Sequence, residues 1–139
     1  MRALRICCGV GLVVCLLSIT GCDKSIPAYP VEGTVVFEDG TPIKFGTIEL
    51  LSDEHKINAR GTINREGKFR LTTYHPNDGA VAGKHRCVIA QHVVEMYGIK
   101  VNHDHGDLVA SKYADYSTTD LVVVIEAKPN EIKLVVDKR

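Results

Sequence analysis

The chain has 139 residues and carries 17 lysine and arginine side chains against 17 aspartate and glutamate side chains, so its formal net charge is zero. Proteins that bind nucleic acid through the phosphate backbone carry an excess of basic residues, and the even balance argues against that class. The length is typical of one ordinary domain.

The N-terminal segment, MRALRICCGVGLVVCLLSITGC, combines a positive start with a short apolar run. Arg2 and Arg5 precede residues 6–19, a run of fourteen that is apolar apart from two glycines and a serine. A helix that crosses a bilayer needs about 20 apolar residues, so this run is too short. A positive start, a short apolar stretch and small residues at its end are typical of a secretory signal peptide.

The end of this segment, residues 19–22 (ITGC), resembles the lipobox of bacterial lipoproteins. In that family a branched apolar residue stands three positions before an invariant cysteine, which receives a diacylglycerol before a peptidase cuts ahead of it. The resemblance implies that residues 1–21 are removed and that Cys22 becomes the lipidated N-terminus. We therefore expect a lipoprotein on the extracytoplasmic, periplasmic side of a bacterial membrane, either inner or outer. An uncleaved anchor helix and a signal peptide cut elsewhere are the alternatives.

Cleavage before Cys22 would leave 118 residues with fifteen basic and seventeen acidic side chains, a balance of −2, because two arginines leave with the signal. Cys7, Cys8 and Cys15 would leave as well, so Cys87 would be the single unmodified cysteine and no intrachain disulfide could form. Residues 22–30, with two prolines, then form a short tether. The domain itself is expected over residues 31–139.

From residue 31 onward, apolar and polar residues alternate with a period of two, which is the pattern of half-buried strands. The breaks fall at DGTP (39–42), NREG (64–67), HPNDG (75–79) and KPNE (128–131). Short alternating segments between such turns predict a seven-stranded antiparallel β-sandwich. The predicted core consists of Val35, Phe37, Ile48, Leu50, Ile63, Phe69, Leu71, Ile89, Leu121, Val123 and Leu134.

Five segments strengthen this interpretation, namely VEGTVVFEDGTPI, GTI, NREGKFRLTTY, DGAVAGKHRCVI and KYADYSTTDLVVVI. Together and in this order they resemble the small transthyretin-like, carboxypeptidase-regulatory-like lipoproteins of planctomycete bacteria. The chain has Ala110 where members often have proline, and His85 where many have tyrosine. The resemblance implies a prealbumin-like sandwich, and it brings no established activity.

The stretch 93–112 shows no alternation, and a loop of that length is often functional. Potential metal ligands cluster in and beside it, at His92, Glu95, His103, Asp104, His105 and Asp107. Imidazoles are common ligands for zinc and copper, so a metal-binding envelope protein that uses the 92–107 loop is the alternative function. His92 and Glu95 have the His-x-x-Glu spacing of zinc carboxypeptidases, but the chain is far shorter than such a catalytic domain.

We expect no tightly bound metal in this loop. His103 and His105 can share one face of an extended segment, but two ligands leave a structural zinc site short of its usual four. Further ligands would have to come from a loop that contains Gly98 and Gly106, and ordering that loop costs conformational entropy.

A few other side chains could in principle serve catalysis. His85 and Cys87 lie two apart on one strand face, and the apolar neighbours of Cys87 favour a core position over a nucleophile pair. Hydroxyisourate hydrolases share the transthyretin-like fold and end in Tyr-Arg-Gly-Ser, whereas residues 135–139 read VVDKR. Tyr113 is interpreted as a buried pin at a corner of the sandwich, with ligand contact as the alternative.

The sequence therefore predicts a lipid-anchored, non-enzymatic binding or structural module of the bacterial cell envelope. Its only predicted modification site is Cys22, with no catalytic residue, cofactor or resident metal. The expected partners are the membrane, through the lipid on Cys22, and an envelope protein or glycan that the sequence does not identify.

Overall fold

The computed structural model describes residues 25–91 and 106–139. The predicted signal peptide, Cys22 and five of the six predicted loop ligands lie outside these described residues. Strands and loops make up almost all of the described chain, which confirms the all-β prediction. No helix within these two ranges is long and apolar enough to cross a membrane.

The described residues form nine strands and one short 3-10 helix. They are β1 (Ala28–Tyr29), β2 (Val31–Phe37), β3 (Gly46–Ser52), β4 (Asn58–Ile63), β5 (Lys68–Arg70), β6 (Ala80–Val81), β7 (Gly83–Gln91), the 3-10 helix Ser111–Ala114, β8 (Val122–Ile125) and β9 (Asn130–Val136). Seven strands coincide with the seven predicted segments, and β1 and β6 are additional. Each of these two has only two residues, too few for a period-two pattern to reveal.

The strands form three sheets, with the orders β5-β2-β9, β4-β3-β7-β8 and β1-β6. The ladders between the described strands are antiparallel except for β2 with β9, which is parallel over seven residues. The prediction of a wholly antiparallel sandwich is therefore wrong at this pair. Alternation along a strand indicates which face a side chain takes, but not the direction of the neighbouring strand.

The inward-facing side chains of the two larger sheets form one apolar core, an arrangement consistent with a β-sandwich. Ten of the eleven predicted core residues are buried. The exception is Leu121, which is partly buried and packs against the core. It lies just before β8, where its carbonyl oxygen accepts a hydrogen bond from the Cys87 amide at 3.0 Å. Ile43 and Tyr113 are buried although the predicted core did not include them.

The two ends of the sandwich differ. At one end, β1 pairs with β6, and β7 begins at Gly83 shortly after β6 ends. β2 and β9 begin at the same end, where the Asn130 amide donates to the Pro30 carbonyl oxygen at 2.8 Å. We call this end the tether pole. At the other end, the last residue of β7, Gln91, pairs with Gly46, and we call this end the far pole.

Residues 28 and 29, which the sequence interpretation counts as tether, form β1 at the tether pole. The adjoining chain is packed closely here. Gly79 has a φ of +94°, and a Cβ atom at this position would collide with the Tyr29 carbonyl oxygen. Glycine is therefore required both by the backbone conformation and by the contact.

Candidate functional site

His85 and Cys87 lie side by side on the inner face of β7, and both side chains are fully buried. Their predicted core position is confirmed. Burial raises the pKa of the Cys87 thiol to about 12. The thiolate is the nucleophilic form of cysteine, so this side chain is unreactive at neutral pH.

Only one of the two ring nitrogens of His85 has a hydrogen-bond partner in the core. Its Nδ1 atom lies 3.0 Å from the Gly83 carbonyl oxygen, which can accept a hydrogen bond from it. Its Nε2 atom is buried and has no hydrogen-bond partner. Burial lowers the pKa of the imidazole, the nearby Gly83 carbonyl and the Asp53 carboxylate oppose this shift, and His55 adds to it. His85 therefore remains neutral in the folded protein at pH values where an exposed histidine begins to protonate.

This arrangement predicts that the protein becomes less stable as the pH is lowered. In the unfolded chain His85 protonates near pH 6.5, whereas in the folded protein it protonates only at lower pH. Below about pH 6.5 the unfolded state thus binds more protons, and the free energy of unfolding decreases as the pH falls. Replacing His85 with leucine should flatten this dependence between about pH 7 and pH 5. Urea unfolding at a series of pH values measures the effect.

The matched control is His75→Gln, because the His75 side chain is exposed. This variant should keep the pH dependence of the wild-type protein. Equal slopes for the His85→Leu variant and the wild type would show that another group causes the loss.

Asp107 is the one predicted loop ligand that the structure describes, and it is already paired. Its carboxylate lies 2.6 Å from Lys138 Nζ, which also lies 2.6 Å from the Asp39 carboxylate. The Lys138 ammonium holds the pKa of Asp39 well below its usual value. Within residues 25–91 and 106–139, no three histidine, cysteine, aspartate or glutamate side chains are placed to hold a metal ion. The loop hypothesis depends on residues outside this range and stays a prediction.

Gln91 holds together the two described ends that flank residues 92–105. Its side-chain amide nitrogen donates to the Asp107 carbonyl oxygen at 3.2 Å, and its side-chain oxygen accepts from the Val109 amide at 3.0 Å. The described residues on the two sides of this segment, Gln91 and Asp107, therefore lie close together at the far pole.

Tyr113 acts as the predicted corner pin. Tyr113 belongs to the 3-10 helix, its ring is buried in the core, and its hydroxyl group donates to the Asp137 carboxylate at 3.0 Å. The Lys112 ammonium lies 2.7 Å from the same carboxylate and lowers its pKa. These contacts join the helix to the end of β9 and give the tyrosine a structural role.

An open groove, which the sequence interpretation missed, lies on the outer surface where β4 and β5 meet. The two strands are joined by the predicted NREG turn, in which the Asn64 amide donates to the Lys68 carbonyl oxygen at 2.9 Å. β4 nevertheless pairs with β3, whereas β5 pairs with β2 in the other sheet. The chain thus crosses between the sheets at this turn, and the groove lies over the crossing.

The groove, called here the β4–β5 groove, has a volume of about 860 Å³. It is lined by Glu32, Gly33, Thr34, Arg60, Gly61, Thr62, Asn64, Lys68, Phe69, Arg70, Thr72, Asn77 and Glu131. A second cavity of about 480 Å³ shares Glu32, Arg70, Asn77 and Glu131, and extends to Pro30 and Pro129 at the tether pole. The groove is therefore continuous with the surface beside Pro30, which directly follows β1.

The charged groups of the groove are separated by strand. Arg60 on β4 and Lys68 and Arg70 on β5 supply positive charge, whereas Glu32 on β2 and Glu131 on β9 supply negative charge. Arg70 Nε lies 3.3 Å from the Glu32 carboxylate, an exposed pair that is weak in water. The groove thus carries charges of both signs, and its two arginines already pair with carboxylates, Arg70 with Glu32 and Arg60 with Glu49.

Glu49 orients Arg60 at the edge of this groove. Its carboxylate accepts hydrogen bonds from Arg60 Nε at 2.8 Å, from Asn58 at 2.6 Å and from the Tyr116 hydroxyl at 3.0 Å. The guanidinium is thus held between two strands and the segment after the 3-10 helix. Burial, together with the Glu49 carboxylate, raises the pKa of the Tyr116 hydroxyl, so it remains a donor.

Comparisons with protein-family models, curated proteins and solved structures give no match to this chain.

Proposed function

We propose that the chain is a lipid-anchored, non-enzymatic binding module of the bacterial cell envelope, with a transthyretin-like sandwich held at the membrane through Cys22. The β4–β5 groove is its binding surface for an envelope protein or glycan. The observation that carries the proposal is this wide, charged groove. The same domain buries Cys87 and His85 fully in its core.

Several features support a binding role over catalysis. Cys87 has a raised pKa and no access to solvent, and His85 is equally buried. The groove offers arginine, lysine, glutamate, threonine and asparagine side chains, which bind polar groups by hydrogen bonds and ion pairs. The anchor is supported by the lipobox-like residues 19–22 and by a domain that begins only a few residues later.

The anchor is tested by mass spectrometry of the protein from the membrane fraction. We expect a chain that begins at Cys22 and carries acyl groups, with residues 1–21 absent. An unmodified Cys22 still joined to Gly21 would contradict the proposal.

The groove is tested by photo-crosslinking in intact cells. A photoreactive amino acid at Thr62, which is exposed in the groove, should capture a discrete partner that mass spectrometry can identify. The control position is Val124, which is 65% exposed on the outer face of β8 and remote from the groove lining. The same products from both positions, or none from Thr62, would argue against the groove as the binding surface.

A further inference from the structure

The tether pole lies close to the lipid if Cys22 is anchored, so this inference rests on the proposed function. Five residues separate Cys22 from Ala28, the first residue of β1, so six Cα–Cα steps join the two. A fully extended chain of that length spans at most about 20 Å. The loops of the tether pole are therefore kept within reach of the lipid headgroups.

One of these loops, residues 73–79, is fixed directly beside the tether. The Asp78 carboxylate accepts hydrogen bonds from the amides of Thr73 at 2.7 Å, Tyr74 at 2.9 Å and His75 at 2.8 Å. Burial by itself would raise the pKa of Asp78, but the three backbone hydrogen bonds together outweigh it and lower the pKa, so the carboxylate stays charged at neutral pH. At the end of the loop, Gly79 lies against the main chain of β1.

The side chains at the tip of this loop face the solvent. Because three successive amides turn inward to one carboxylate, the side chains of Tyr74, His75 and Pro76 lie exposed at the tip. The Tyr74 side chain is 41% exposed. Tyrosine is favoured at membrane–water interfaces, since its ring enters the apolar boundary while its hydroxyl group stays hydrated.

The charged side chains around this loop are nearly balanced, so its contact with a membrane would not require anionic lipids. Lys56, Lys84 and Lys128 are exposed at the tether pole, but so are Glu54 and Glu126. Lys128 and Glu126 also pair with each other, at 2.6 Å. A nearly balanced surface of this kind is compatible with zwitterionic headgroups and gains little from anionic lipid.

We propose that loop 73–79 is a lipid-contacting surface, with the Tyr74 ring inserted among the headgroups of the membrane that holds Cys22. This contact sets the orientation of the domain. It places the tether pole on the bilayer and directs the far pole away from it. Because the second cavity reaches Pro30 and Pro129, the β4–β5 groove then opens at the bilayer surface.

The chain contains no tryptophan, so a single introduced tryptophan reports its own surroundings. The lipid-anchored Tyr74→Trp protein is reconstituted in phosphatidylcholine vesicles with and without brominated acyl chains. We expect strong quenching by the brominated lipid and a blue shift of the emission. Pro76→Trp is a second probe of the same loop tip and should behave in the same way.

The control is Phe45→Trp, an exposed aromatic position at the far pole. The nine residues of β7 separate the poles by roughly 27 Å, so this tryptophan should not be quenched. If the protein is acylated and floats with the vesicles, but neither loop tryptophan is quenched more than Phe45→Trp, the inference is overturned and the anchor stands. If mass spectrometry shows no acyl group on Cys22, the proposed function fails first and the inference falls with it.

Discussion

Replacing Phe69 with alanine should lower the free energy of unfolding by about 3–5 kcal/mol, the range for a large aromatic side chain lost from a core. The Phe69 side chain is 4% exposed and belongs to the apolar core between the sheets. The free energy of unfolding of such a domain is only about 5–15 kcal/mol, so this substitution should remove a large fraction of it. Urea unfolding of residues 25–139, followed by circular dichroism, measures the loss.

Phe45→Ala is the matched control, because the Phe45 side chain is 44% exposed. Both variants lose the same atoms, but only the Phe69 variant leaves a cavity, so the control should lose much less stability. Similar losses at the two positions would contradict the burial of Phe69.

Adding a single methyl group at Gly33 should also be costly, at about 3 kcal/mol, the upper end of the range for overpacking. A Cβ atom on Gly33 would collide with the Ile132 carbonyl oxygen and lie 2.9 Å from the Phe69 ring. The first contact belongs to the parallel ladder of β2 and β9, so the backbone itself would have to move. Chemical denaturation of the Gly33→Ala variant tests this.

The neighbouring substitution Glu32→Ala is the control, because its side chain is exposed on the outer face of the same strand. It should change the stability by less than about 1 kcal/mol, as is usual for an exposed ion pair. The double variant Gly33→Ala/Phe69→Ala should deviate from additivity, since the two positions are in contact. A Gly33→Ala protein as stable as the Glu32→Ala control would show that β9 does not lie against Gly33 as described.

Phe69 and Gly33 show what the sequence pattern predicts and what it does not. Phe69 was placed in the core because it alternates with polar residues after a recognisable turn. Gly33 stands two positions before Val35 and so takes the same face of the strand, but nothing in the alternation indicates that a backbone carbonyl group approaches it. That contact depends on β9, which lies about a hundred residues further along the chain and runs parallel to β2.

The functional residues likewise include some that the sequence predicts and others that depend on the tertiary structure. The lipidation of Cys22 is predicted from the local pattern of residues 19–22 and stays a prediction, because those residues lie outside the described part of the chain. His85 was expected to face inward, but its unpartnered Nε2 atom depends on what the adjacent strands place around it. The groove gave no signal, because Arg60, Arg70 and Glu131 each follow the pattern of an ordinary solvent-facing residue.

Seven of the nine described strands, their inward faces and most of the core follow from the pattern of residues, because a period of two is a property of one strand and needs no knowledge of its neighbours. The parallel pairing of β2 with β9, the short β1–β6 ladder at the tether pole and the crossing of the chain between the sheets at the NREG turn could not be predicted from that pattern. The physical reason is that strand partners are chosen by long-range packing and by main-chain hydrogen bonds, which are the same for every residue type except proline. The groove is a product of those choices, since its walls come from β2, β4, β5 and β9.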